Sequence, residues 1–453
     1  DGQGGGSSQY GTSTEGVTGP SARFACSGPC QLDDAMGKEE DPAAAPLHKW
    51  QSLENKGDMY SARAGHAVAS DGTTFLLFGG CDSMGYCNDV HTYDVNMNVW
   101  QAVYALGDAP SPRTGSRAVA WGGVIWLFGG CREQEDGTKV FFNDVHKYVV
   151  KSSMWHRADS AGDVPVGRVD HSAVLCDSSM LVFGGRPETA LQDGVHEFSL
   201  PDCRWQSVDV AGSASPLRAG HTSVIYKDFM YVFGGWDGEC LRDEMLELDL
   251  SQNMWTELPT SGKAPCARYR HTAVVCSNGM FVFGGAGPSA SRFADLHAFN
   301  FTSRTWSLVN DAHRLTSKVD ASDVQPPRRA FHGSLVHGNE MFIFGGWNGR
   351  MRNDNYRLVL RSETDQRMGD EQSSEAGSSS TSAEVTIWLG SLSLISSSSD
   401  LSSESEISLA DLPLFEQRKR LRPSDEVHPP QLQPIKSASW GARWRLKQPR
   451  MRF

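Results

Sequence analysis

The reading of the fold turns on one stretch near the middle of the chain. It runs Arg168-Val169-Asp170-His171-Ser172-Ala173-Val174-Leu175-Cys176 and, after three residues, Met180-Leu181-Val182-Phe183-Gly184-Gly185. His171 to Cys176 reads as a short strand, and Met180 to Phe183 as an apolar strand buried along its length. The glycine pair ends that second strand, where a side chain would obstruct a neighbouring backbone. His196 to Phe198 and Arg204 to Val208 give a third and a fourth strand. In the last of these, Trp205 offers a large apolar area for packing.

The same marks recur outward in both directions. Gly-Gly follows a β-rich run at Gly79-Gly80, Gly129-Gly130, Gly184-Gly185, Gly234-Gly235, Gly284-Gly285 and Gly345-Gly346, at intervals of 50, 55, 50, 50 and 61. Trp100, Trp155, Trp205, Trp255 and Trp306 follow 21 to 26 residues behind the first glycine. His66, His171, His221, His271 and His332 each precede it by 13, with Ser116 in the second unit. An arginine stands three residues before each of these: Arg63, Arg113, Arg168, Arg218, Arg268 and Arg329. Internal periods of 20–50 residues are the signature of repeat architectures.

A period near 50 with Gly-Gly, aromatic and Trp marks resembles the kelch repeat, over residues 49 to 361. The resemblance implies an all-β fold, a β-propeller with four antiparallel strands per blade around a central channel. Six units imply six blades. The sixth unit lacks its Trp, but Trp50 precedes His66 by 16 residues, the spacing at which Trp100, Trp155, Trp205 and Trp255 precede the next unit's mark. Lys49 to Leu53 is therefore expected to close the last blade as its outer strand, protecting open sheet edges.

Composition agrees with a globular chain and bounds its partners. Hydrophobic residues are 39% and charged residues 21% of 453, with a mean hydropathy of −0.40. No apolar run is long enough for a membrane-spanning helix. The net charge of −12 disfavours nucleic acid and anionic membrane. The first residue is Asp1, which implies a fragment or a processed product. Ten cysteines in so long a chain do not read as a disulfide framework, and a reducing compartment is expected. Residues 1–48, rich in Gly, Ser, Ala and Pro, are expected to be disordered. Residues 362–453 read as a low-complexity tail, first acidic and serine-rich, then basic, with Arg418 to Arg422 matching either a nuclear import signal or a solvated charge run.

The spacings also locate the variable parts. Length changes between Gly-Gly and Trp, where the second unit gains five residues, and between Trp306 and His332, a span ten longer than usual. Because strands alternate direction, both connections emerge on one face, and the other face carries short hairpins such as Asp71-Gly72 and Asn278-Gly279. Long loops on a rigid scaffold are where binding sits. The arginine and histidine marks recur in all units and read as braces. Partner contacts are expected where the symmetry breaks. The position past Gly-Gly reads Cys81, Cys131, Arg186, Trp236, Ala286 and Trp347. Arg186, Trp236 and Trp347 stand out, with Arg132, Phe141, Phe142, Arg242, Tyr269, Arg270, Arg292, Arg350 and Arg352 on nearby loops. Trp and Arg together have the composition of an interface hot spot.

The pattern is similar to the propellers of leucine-zipper-like regulators, Rab effectors and cullin-ligase substrate receptors. That resemblance implies a non-catalytic scaffold or substrate adaptor without a cofactor. Its partner would be a protein or peptide, of the cullin-type ubiquitin ligase or small GTPase kind, inside the cell and in the cytoplasm rather than the nucleus. Two other readings stand beside it. A propeller could receive a peptide's C-terminal carboxylate for a ubiquitin ligase. Kelch-type specifier enzymes use a Glu-x3-Asp-x3-His iron site, and Glu239, Asp243 and Glu247 come nearest to it here, with Glu as the third ligand.

Overall fold

A computed structural model describes residues 49–360, apart from 188–190, 193, 213–216, 289–290 and 311–323. The expectations for residues 1–48 and for the tail lie outside the described residues. What is described is an all-β, six-bladed propeller, with a 3-10 turn at Val150–Ser152.

Each blade runs from an inner strand outward. Blade three is typical: Ser172–Cys176, Ser179–Phe183, Val195–Ser199 and Arg204–Val208 pair antiparallel in that order. Blade six is built from Gly333–His337, Glu340–Trp347 and Met351–Val359. Its outer strand is Trp50–Leu53, which pairs antiparallel with the third from Trp50 opposite Leu358 to Leu53 opposite Asn355. The two ends of the propeller segment are thus hydrogen-bonded neighbours, as the missing sixth tryptophan required. The seam is reinforced by Tyr60, whose buried hydroxyl donates to Asn355 Oδ1 at 2.6 Å, and by Arg357 Nε donating to Gln51 Oε1 at 2.8 Å.

The expectation of four strands per blade is incomplete. In blades two to five a two-residue strand adds to the outer edge in parallel: Leu106–Gly107, Ala161–Gly162, Ala211–Gly212 and Ser261–Gly262. In blade one a single bridge from Gly57 to Trp100 does the same. Each is the chain leaving the preceding blade, so it caps an otherwise open edge. The glycine is required. At Gly162 φ is +88°, and a Cβ would sit 2.0 Å from the Trp205 carbonyl oxygen.

The apolar core lies between blades. The second strands supply most of it, such as Met180, Leu181, Val182 and Phe183. Each outer-strand Trp meets the Phe before Gly-Gly of the preceding blade. The ring-centroid distances are 5.4 Å for Trp100–Phe344, 5.2 Å for Trp155–Phe78, 4.9 Å for Trp205–Phe128, 4.9 Å for Trp255–Phe183, 5.0 Å for Trp306–Phe233 and 5.4 Å for Trp50–Phe283. Seven of the described cysteines form no disulfide, and Cys266 is disulfide-bonded.

Candidate functional site

The arginine marks are braces. All six are buried. The backbone carbonyl of each accepts the second Gly-Gly N–H of the preceding blade, for example Gly185 N to Arg218 O at 2.7 Å and Gly346 N to Arg63 O at 2.9 Å. This cross-blade bond explains the close approach that the glycine pair permits. The guanidinium turns back to its own blade. Arg63, Arg113, Arg268 and Arg329 donate to the first glycine's carbonyl and to an aspartate within or just before the third strand: Asp89, Asp144, Asp295 and Asp354. Burial alone would raise Asp89, Asp144 and Asp295, but the facing arginine and histidine outweigh it and hold each well below the usual carboxylate range.

The histidine marks are buried too. His221, His271 and His332 share hydrogen bonds of 2.8–2.9 Å with Ser172, Thr222 and Thr272 of the preceding blade. Burial pushes His66 and His221 down to about 3, and His171, His271 and His332 well below the ordinary value. These imidazoles are neutral at pH 7 and serve as packing groups.

Two residues past each arginine mark stand Gly65, Gly115, Asp170, Gly220, Arg270 and Phe331, all with φ between +56° and +70°. Backbone bonds link them from blade to blade. Gly115 N donates to Gly65 O at 2.7 Å, Gly65 N to Phe331 O at 2.9 Å, Phe331 N to Arg270 O at 3.1 Å, Arg270 N to Gly220 O at 2.6 Å, and Gly220 N to Asp170 O at 2.7 Å. Five bonds thus string these residues into a belt through all six blades, open between Gly115 and Asp170. Three of its members are glycine, as left-handed backbone favours. The other three carry side chains there, which costs on the order of 1–3 kcal/mol each.

Those three side chains form one cluster. Arg270 grips Asp170 twice, Nη2 to Oδ2 at 2.8 Å and Nε to Oδ1 at 3.2 Å. Arg186 Nε reaches the same Oδ2 at 3.3 Å. Arg270 also stacks on Phe331 at 4.1 Å and on Tyr269 at 4.9 Å. Asp170 is buried; burial alone would raise it, but Arg270, Arg186 and Arg117 together hold it well below the usual range. Arg117, on the inner strand of blade two, donates to the His171 carbonyl at 3.0 Å. Burial lowers its guanidinium while Asp170 opposes that. One carboxylate thus faces three guanidiniums beside the belt.

The six positions past Gly-Gly sit beside the belt. Cys81, Cys131, Arg186, Trp236, Ala286 and Trp347 each form an antiparallel bridge with the residue that follows the arginine mark: Ala64, Thr114, Val169, Ala219, Tyr269 and Ala330. Trp236 and Trp347 are half-buried, and Arg292 stacks over Trp347 at 4.4 Å. The other candidates have local partners. Phe142 covers the Arg113 guanidinium at 3.7 Å. Phe141 and Arg132 belong to a small ribbon in which Lys139–Phe141 pairs with Cys131–Glu133. Arg242 pairs with Asp237, Arg352 with Asp354, and Arg350 is exposed at a hairpin tip. The sequence reading passed over Asp170, Phe331 and Arg117. For the first two the signal was present, since three of the six equivalent positions are glycine. Glu239 and Asp243 are exposed and Glu247 is half-buried opposite Tyr231. Among the described residues no three His, Cys, Asp or Glu side chains converge to hold a metal ion, so the acids considered for iron do not form a site.

The KLHDC2/KLHL20/DRC7 Kelch-repeats domain matches this chain at residues 46–235, 134–317 and 220–395, three overlapping spans. The chain is 44% identical over 50 residues to a leucine-zipper-like transcriptional regulator 1 homolog of Drosophila melanogaster, covering 11% of this chain and 5% of that protein. It is 31% identical over 127 residues to human Kelch domain-containing protein 3, covering 28% of this chain and 32% of that protein. The chain therefore spans less than a third of the length of each of these relatives.

Proposed function

The chain belongs to the kelch-repeat family, and on that premise we propose that it is a non-catalytic interaction scaffold or substrate adaptor that takes a protein partner at the mouth of its channel. Propellers of this family are typically non-enzymatic. The observation that carries the reading is the belt. The fold is satisfied by glycine at Gly65, Gly115 and Gly220, yet Asp170, Arg270 and Phe331 occupy the same left-handed backbone and meet at one mouth. Strain kept where the scaffold does not need it points to use. Trp236, Trp347 and Arg186 surround that mouth and add the rigid aromatic and basic groups of a hot spot.

A second reading follows from the charge. With Arg117, Arg186 and Arg270 set against Asp170 alone, the mouth favours an acidic segment or the terminal carboxylate of a peptide. The likeness to adaptor-type propellers supports a cullin-type ubiquitin ligase or a small GTPase as the machinery on the other side. It also supports work in the cytoplasm. The test is partner recovery by the full chain and by Arg186→Ala, Trp236→Ala and Trp347→Ala, with Lys227→Ala and Asn278→Ala on the opposite hairpins as controls. Loss of a true anchor should weaken binding at least thirtyfold, or about 2 kcal/mol. If partners survive the first set and vanish with the second, the mouth is not the site.

A further inference from the structure

The brace that repeats around the ring is incomplete in blade three. In blades one, two and five an aspartate lies between an arginine and a histidine. Asp89, for example, accepts Arg63 Nη2 at 2.7 Å and lies 3.0 Å from His91 Nε2. The histidine's Nδ1 bonds the carbonyl of the edge-capping segment, Asp58, Asp108 or Lys263, at 3.0–3.1 Å. Blade three retains Arg168 and His196, but Gly194 stands where the aspartate should be.

The consequences are visible on both neighbours. Arg168 is fully buried. Its Nε and Nη1 donate to the carbonyls of Val166 at 3.1 Å and Gly184 at 2.9 Å. Nη2, the group that meets aspartate elsewhere, has no acceptor among the described residues, and burial with nothing to oppose it lowers this guanidinium to about 10. His196 Nδ1 is buried and meets only the Gly194 backbone, with no side-chain acceptor among the described residues. The imidazole has closed on the vacated position, with Cε1 3.0 Å from where a Gly194 Cβ would stand. In the other blades the acids at this position are 16–45% exposed, so the equivalent site there reaches the surface.

We propose that blade three holds an anion socket, in which Arg168 Nη2 and His196 beside Gly194 receive a carboxylate supplied from outside the chain. The donor is a free small carboxylate or an Asp or Glu side chain of a partner. A bidentate carboxylate fits because the same arginine geometry binds one in four other blades. The socket uses none of the side chains assigned to the mouth, and its failure would leave the reading of the mouth untouched.

Thermal unfolding of the full chain tests this in sodium acetate, N-acetylglutamate amide, acetamide and sodium methanesulfonate at matched ionic strength. Acetate at about ten times its Kd should raise Tm by roughly 2–4 °C, and acetamide and methanesulfonate should not. A response to acetate alone identifies free carboxylates as the source, and a response to both carboxylates identifies side chains. Gly194→Asp should raise Tm without any additive and abolish the acetate shift. Equal shifts in Gly194→Asp and the parent, or equal shifts with acetamide, would overturn the socket. Asp193 adjoins Gly194 in sequence and lies outside the described residues. An acetate shift that appears only in Asp193→Asn would show that the chain fills the site itself, and would also overturn the proposal.

Discussion

Acid should unfold this propeller well above the carboxylate range, and the histidine marks are the reason. His66, His171, His221, His271 and His332 are fully buried, and burial holds all five far below the ordinary imidazole value. The unfolded chain binds protons at these groups below about pH 6.5, and the folded chain does not. Stability is therefore complete above the unfolded value and is lost as pH falls through it toward about 3. By pH 5 each histidine costs on the order of 2 kcal/mol, so five cost on the order of 10 kcal/mol. A domain typically has only 5–15 kcal/mol. The acid midpoint should fall near pH 5, whereas Asp89, Asp144, Asp170 and Asp295 contribute only below about pH 4. Urea unfolding followed by tryptophan fluorescence from pH 7.5 to 4.5 measures this directly. Blade two supplies the control, because Ser116 already replaces the histidine there and donates to the Gly129 carbonyl at 2.9 Å. His171→Ser should lose stability at pH 7.5 yet reduce the pH dependence below 6.5 by about one fifth. An unfolding free energy that is flat from pH 7 to 5, or a dependence unchanged in His171→Ser, would refute the argument.

Closure gives a second expectation: Trp50→Ala should cost about 3–5 kcal/mol in urea unfolding, deletion of residues 1–53 should cost more because the outer strand goes with it, and deletion of 1–45 should change little. Gly162→Ala should lower Tm by several degrees, because its Cβ would strike the Trp205 carbonyl oxygen at 2.0 Å; a neutral result would mean that the edge-capping strand is dispensable. Asp170→Asn leaves Arg270 and Arg186 without their counter-charge, and should cost about 3–5 kcal/mol while preserving the sheet signal by circular dichroism.

The blades were legible because their marks have fixed spacing and large residues. Gly-Gly, Trp and Arg each satisfy a contact that recurs in every blade, so they recur in the sequence. Closure by Trp50 could be read because one mark was missing at one end and surplus at the other. The edge-capping strands were not read, although Gly57, Gly107, Gly162, Gly212 and Gly262 each stand seven residues after a Trp. A two-residue parallel strand leaves no alternation of polar and apolar residues, so its glycine looks like part of a loop. Asp170 and Phe331 escaped for a related reason: a left-handed backbone position is visible only once Gly65, Gly115 and Gly220 are aligned on it. The gap at Gly194 carried no signal until the structure showed that the other blades place an acid there. Arg242 and Arg352 were expected among the partner contacts, and in the structure each has a local acid beside it, Asp237 and Asp354, which the sequence pattern did not reveal.

The central claim is that a partner enters at the mouth between Arg186, Trp236, Arg270 and Trp347. The most direct measurement is site-specific photo-crosslinking in cells, with the reactive side chain in place of Trp236 or Trp347 and, separately, in place of Lys227 or Asn278. The account predicts that one and the same partner is captured from both tryptophan positions and that this capture is lost on adding Arg270→Ala. Capture of that partner from positions 227 and 278, with none from 236 and 347, would contradict it.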